Sequence, residues 1–219
     1  RSGALMSRAT GNGNRRINSS PFLYSNRWVI IYPTMNYIIG GTPRAGKSML
    51  RKYMLKTYNI PGLCTDYLRD ALDHKVPIFG IHDHMTDEQK SEILWPFFQG
   101  VLEQRIKWYK DDLIIEGPNF LPKYLKEFKD DPNMKIVFLG YSNISKTQKL
   151  FQIRNYIMED DWTTELSDFE LENLVDEFSE ISKYFKSECR KYDIKYYDSS
   201  ENFEQTIKEA AAYLISNCP

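Results

Sequence analysis

The sequence predicts an α/β fold in which a parallel sheet is covered by helices on both faces. Three observations carry that expectation. From Met35 onward, short apolar runs alternate with segments of helical periodicity, the pattern of strand, crossover helix and next parallel strand. Three of those runs are near-continuous rather than alternating, as strands buried on both faces require. Finally, a glycine-bearing turn, Gly41 to Ser48, stands directly between the first apolar run and a helix-compatible stretch.

The strands are read at 36–40, 62–65, 112–116, 134–141 and 194–198. Helix starts are marked by Thr86-x-x-Gln89, Ser145-x-x-Gln148 and Ser167-x-x-Glu170. In each, a hydroxyl accepts from the backbone three residues on and a longer side chain reaches back. After the last of these, Leu171, Leu174, Val175, Phe178, Ile181 and Phe185 recur at helical spacing and are assigned to the core.

A chain of 219 residues, 42% of them hydrophobic, is long enough for one domain with a substantial core. The net charge of −1 gives no whole-chain argument for a nucleic-acid or membrane partner. That balance conceals five arginines and no acid within residues 1–34, a stretch rich in Ser, Asn and Gly. Residues 1–34 are expected to be a disordered, leader or appended segment in which only 28–32 is able to pack. Residues 35–219 are expected to be the catalytic unit, with Met35 as its start. A transit peptide or an RNA-contacting arm is the other reading of that leader. Cys64, Cys189 and Cys218 are odd in number and lack metal-ligand spacing, which fits a reduced, cytoplasmic setting. No apolar run approaches the roughly 18 residues of a membrane span.

Gly41-Thr42-Pro43-Arg44-Ala45-Gly46-Lys47-Ser48 satisfies G-x-x-x-x-G-K-[ST], and Met49 continues it into the helix. Its two glycines let backbone N–H groups turn toward phosphate oxygens, and the helix start adds a positive dipole end. Lys47 is suited to neutralise the β and γ phosphates of a nucleotide, and Ser48 to ligate Mg²⁺.

In open parallel sheets ligands bind beyond the carboxyl ends of the strands. After the second strand, Asp66 can accept a proton from an attacking hydroxyl, and Arg69 can grip an anionic acceptor. An N-cap role for Asp66 is compatible with this. After the third strand, Glu116 is positioned to orient Mg²⁺ or the acceptor, and Gly117 to admit substrate close to the backbone. On the helix from Ser145, Lys146, Lys149 and Arg154 form a basic face that repels itself until phosphate neutralises it, so Arg154 is the candidate for closing over the transferring phosphoryl group. A solvated basic face is the plainer alternative. His82-Asp83-His84 resembles a metal pair, but in a loop with neighbours pointing apart and no third ligand it is read as polar surface. Trp95, Phe97 and Phe98 are available for stacking on a base or for helix core.

The phosphate loop, Thr65-Asp66-x-x-Arg69, Ile114-Ile115-Glu116-Gly117 with Pro122 shortly after, and the basic segment ending at Arg154 together resemble the small-molecule P-loop kinases. Within the shikimate kinase and adenylate kinase class, the likeness is nearest to the 2-phosphoglycerate kinase-like group. It implies a P-loop NTPase three-layer sandwich, a five-stranded parallel sheet in order 2-3-1-4-5, ATP as donor and a mobile helical lid. By the same resemblance Lys47 and Ser48 take the ATP phosphates and Mg²⁺, Asp66 and Arg69 address the acceptor, Glu116 assists either, and Arg154 is the lid arginine. Residues 117–122 lack the histidine of the 2-phosphoglycerate group, so that particular acceptor is not expected.

The expected activity is ATP- and Mg²⁺-dependent phosphoryl transfer to a small metabolite, nucleotide or phosphorylated acceptor, with no membrane or nucleic-acid partner. A nucleotide-binding regulator without transfer chemistry and a polynucleotide end-kinase are the rival readings.

Overall fold

The computed structural model describes residues 22–24, 27–29, 34–82, 84–155, 157 and 161–216. The chain divides into two units, one of residues 1–33 with 217–219 and one of residues 34–216. In the first unit the described residues form an antiparallel pair, Phe22–Tyr24 with Arg27–Val29, which the sequence reading did not contain. The rest of the expected leader lies outside the described residues.

The second unit has the predicted sheet. Its strands are β1 (Asn36–Gly41), β2 (Gly62–Cys64), β3 (Leu113–Glu116), β4 (Met134–Gly140) and β5 (Lys195–Asp198). All pairings are parallel and the order is 2-3-1-4-5, with β1 in the centre. Between the strands run α1 (Lys47–Tyr58), α2 (Asp66–Lys75), α3 (Asp87–Trp108), the short α4 (Pro122–Leu125), α5 (Lys146–Asn155) and α6 (Asp168–Tyr192), and α7 (Phe203–Ile215) follows β5.

The period-two alternation of β1 divides the core. Tyr37 and Ile39 point to one face, where they pack with Leu50 and Met54 of α1 and Ile207, Ala210 and Leu214 of α7. Ile38 points to the other, against Leu94, Phe98 and Leu102 of α3 and Phe185 of α6. All three capping boxes form; that of α5 has Gln148 N–H donating to Ser145 Oγ at 3.3 Å and Ser145 N–H donating to Gln148 Oε1 at 3.3 Å.

Register decides where chemistry can occur. Ile39 is paired with Glu116, Cys64 with Glu116, Gly41 with Leu139, and Gly140 with Asp198, so the carboxyl ends of all five strands finish along one rim. No described helix is long and apolar enough to cross a membrane.

Candidate active site

The phosphate loop leaves β1 through Gly41, whose φ of 121° is open to glycine but strained for other residues. A side chain there would also collide with β4, since a Cβ on Gly41 would lie 2.0 Å from the Leu139 carbonyl oxygen. Thr42 N–H donates to that same carbonyl at 3.0 Å, hooking the loop onto the central strands. Arg44 and Gly46 also take positive φ, 61° and 99°, and α1 starts at Lys47 with no side chain capping it. A helix start left uncapped by the protein is suited to an anion. Ala45 is buried in the core, and Met49 packs its side chain against that core, so either can serve a nucleotide only through its backbone.

Lys47 lies inside the loop. Its Nζ donates to the carbonyls of Gly41 at 3.0 Å and Thr42 at 2.9 Å. Burial pushes its pKa below the ordinary lysine value, and the charges of Glu116 and Asp66 oppose that shift. On the next residue, Ser48 Oγ donates to Glu116 Oε1 at 2.9 Å, and Arg51 Nε donates to the same oxygen at 3.2 Å. Glu116 is only 1% exposed, so these partners satisfy a carboxylate that would otherwise be costly to bury. Ser48 and Glu116 thus offer two adjacent hard oxygens, the donor type that suits Mg²⁺. Arg51 was missed in the sequence, although it lies three residues beyond Ser48 and hence on the same helical face.

At the end of β2, Thr65 is the N-cap residue and Asp66 the first helical residue, which corrects the N-cap role considered for Asp66. Asp66 Oδ1 lies 3.4 Å from the Arg69 guanidinium, which also pairs with Asp70 at 2.9 Å. Cys64 Sγ donates to Asp66 Oδ2 at 3.5 Å, and burial together with Glu116 and Asp66 pushes that thiol up to about 12, out of thiolate chemistry. Gly117 packs directly on Thr65, where a Cβ would lie 1.8 Å from Thr65 Oγ1.

The basic helix differs from expectation. Its three cations do not share one repelling face, because each is already matched. Lys146 pairs with Asp176 at 2.8 Å and Glu172 at 3.7 Å, and Arg154 pairs with Asp168, all three acids belonging to α6. Arg154 is therefore held at the α5–α6 seam, 55% exposed, and not brought to the phosphate loop. Lys149 is the residue turned inward. Its Nζ donates to the Arg44 carbonyl at 2.9 Å and stands 3.5 Å over the Tyr141 ring. Tyr141 Oη donates to the Pro43 carbonyl at 3.0 Å. The Arg44 guanidinium meets the carboxylate of Asp161 and donates to the Ile153 carbonyl at 3.2 Å. Burial works to raise the Asp161 pKa, but hydrogen bonds from Thr163 and Arg44 outweigh it and hold the carboxyl below its ordinary range.

Burial, reinforced by the Arg44 charge, lowers Lys149 to about 7. The unfolded chain therefore takes up a proton between that value and the ordinary 10.5, and this contribution to stability is full above the upper value and lost as pH falls through the lower one. Relative to Lys149→Met, wild-type unfolding free energy is expected to gain up to ~1.4 kcal/mol per pH unit between about pH 7.5 and 9.5. Urea titrations of both proteins measure this; parallel pH profiles would contradict it.

Elsewhere, the rings of His82 and His84 stack at 5.6 Å with an interplanar angle of 10°, so they do not point apart as expected. Asp83 lies outside the described residues, and among the described residues no group of three or more His, Cys, Asp or Glu is placed to hold a metal. Trp95 stacks on Tyr124 at 4.9 Å and Phe98 is core, leaving Phe97 as the exposed member of that trio.

No family model matches the sequence, and no curated protein sequence matches it. Solved structures do. A gluconokinase from Sinorhizobium meliloti 1021 aligns at 16% identity over 84% of this chain and 93% of that one, with a TM-score of 0.52. A shikimate kinase from Bacteroides thetaiotaomicron aligns at 19% identity over 82% and 95% of the two chains, with a TM-score of 0.49. A shikimate kinase from Acinetobacter baumannii, solved in complex with shikimate, aligns at 12% identity over 84% and 94%, with a TM-score of 0.48. The strand order, the phosphate loop after the central strand and the likeness to the gluconokinase together give this chain the fold of the P-loop small-molecule kinases.

Proposed function

We propose that the chain is an ATP- and Mg²⁺-dependent phosphotransferase acting on a small-molecule acceptor. The observation that carries the reading is the convergence on one rim of Lys47 inside its loop, Ser48 bonded to the buried Glu116, and Asp66 at the neighbouring strand end. The fold-level likeness to a gluconokinase supports it as an analogy.

In this reading the loop from Gly41 to Ser48 binds the phosphates, and Lys47 exchanges its two carbonyl partners for phosphate oxygens, delivering a cation whose burial strengthens its field. Ser48 and Glu116 would hold Mg²⁺, whose chemistry is to neutralise charge on the phosphate oxygens. Asp66 takes the proton of the acceptor hydroxyl, and Arg69 steadies the acceptor from the next turn of α2. Arg154 keeps a lid role only by leaving Asp168 for the phosphoryl group. The free Cys64 and Cys189 accord with a cytoplasmic setting.

ATP consumption by the full chain, measured against a panel of sugars, polyols, sugar acids and nucleosides, tests the proposal. Acceptor-dependent turnover that requires Mg²⁺ is expected. Tight ATP binding with no acceptor-dependent turnover would favour a nucleotide-binding regulator instead.

A further inference from the structure

Six buried side-chain polar atoms among the described residues have no hydrogen-bond partner, and five of them belong to Thr42, Thr65, Asp66 and Asn119, the Asp66 oxygen being the one that still meets a charge, the Arg69 guanidinium at 3.4 Å. Thr42 and Thr65 directly follow β1 and β2, Asp66 opens α2, and Asn119 comes three residues after the end of β3, all beyond the carboxyl ends of the strands, the rim where an α/β sheet receives its ligands. Asn119 is the extreme case. It is 1% exposed, and both its Oδ1 and its Nδ2 are unpartnered. Leaving a buried polar group unsatisfied costs on the order of 1–3 kcal/mol, so an amide with both ends unpaired is an expense the fold does not recover internally.

The surroundings of Asn119 are fixed. Gly117 N–H donates to the Ile39 carbonyl at 3.1 Å, continuing the pairing of β3 with β1, and Phe120 packs on Phe98 at 5.3 Å. Asn119 therefore stands just past Glu116 on the strand between β1 and β2. Thr65, against which Gly117 packs, and Asp66 lie on that β2 side, whereas Lys149 and Tyr141 reach the phosphate loop from the β4 side.

We propose that Asn119 is an acceptor-binding residue whose side-chain amide recognises a hydroxyl-bearing, uncharged part of the acceptor. This rests on the kinase reading and assigns it a substrate class. The amide presents one acceptor oxygen and two donor hydrogens. A carboxylate or phosphate only accepts and would leave Oδ1 unpaired; an ammonium only donates and would leave Nδ2 unpaired. Hydroxyls do both, and a vicinal pair satisfies both ends of the amide together. Carboxylates already crowd this side of the rim, with Glu116 engaged by Ser48 and Arg51, and Asp66 and Asp70 occupying Arg69.

Asn119→Leu, which keeps the branched heavy-atom outline of the amide with methyl groups in place of its oxygen and nitrogen, separates the proposal from a structural role, and the smaller Asn119→Val guards against overpacking. In the full-length variant the melting temperature should rise by about 2–4 °C, because an unsatisfied amide is replaced by a side chain that wants burial. Mg-ATP affinity should stay within about twofold of wild type, and KM for a polyol or sugar acceptor should rise about tenfold or more. A lowered or unchanged melting temperature would mean the amide is satisfied within the fold and would overturn the proposal. A tenfold loss of ATP affinity would move Asn119 to the nucleotide and overturn it as well. Wild-type turnover confined to acceptors that lack a second hydroxyl beside the one phosphorylated would overturn the substrate class. Failure of the kinase reading is read in the wild type alone, as ATP binding without transfer to any acceptor, and it removes the acceptor assignment with it; the other failures are read from the variant or from the choice of acceptor.

Discussion

Lys47→Ala is expected to lower phosphoryl transfer by about 10³-fold or more while shifting the melting temperature by no more than a few degrees. The large loss follows from position. Lys47 Nζ sits on the two carbonyls that open the phosphate loop, inside the turn to which the proposed function assigns the phosphates. The small stability change follows from burial, which pushes its pKa down: the folded chain gains little from holding a desolvated ammonium there. Turnover and calorimetry on the same preparation test both halves. An alanine variant retaining a tenth of wild-type turnover would remove Lys47 from the chemistry. One that fails to fold would make it a structural strut, and Lys47→Met, which keeps the stem, separates the two outcomes.

The second large effect is expected at Asp66. Asp66→Asn preserves shape but not basicity, and loss of a general base typically costs about 10²- to 10⁴-fold in rate. Affinity for ATP should be nearly unchanged, because the residue opens α2 and not the phosphate loop. The ion pair it forfeits with Arg69 is a half-exposed i,i+3 contact, worth only a few tenths of a kcal/mol in general, so stability should scarcely move. A kcat within a few-fold of wild type would reduce Asp66 to a partner for Arg69, and a proportionate loss of ATP affinity would assign it to the donor side.

Strands and the phosphate loop were legible because their signals are local. A buried parallel strand must read as an apolar run, and the spacing from Gly41 to Ser48 is dictated by the width of a phosphate. Glu116 was legible for a related reason, since a carboxylate ending the run Ile114-Ile115 has few places to go but the rim. What escaped was the direction of side chains on α5, which depends on its docking against α6. Even so, a signal existed. Lys146 and Arg154 are spaced like Asp176 and Asp168, as two antiparallel helices need for pairing at both ends. Reading that match would have exposed Lys149 as the residue left facing inward. Asn119 is not legible in the sequence, because a single asparagine in a loop carries no pattern; its significance lies in buried atoms that find no partner.

The carbonyls of Pro43 and Arg44 are already claimed by Tyr141 and Lys149, and the Arg44 side chain is tied to Asp161. A loop secured in this way has paid its ordering entropy during folding and need not pay it again on meeting a ligand. On the proposed function, nucleotide capture is closer to docking onto a finished mould than to wrapping by a slack tether, and association should proceed without a slow rearrangement step at this loop.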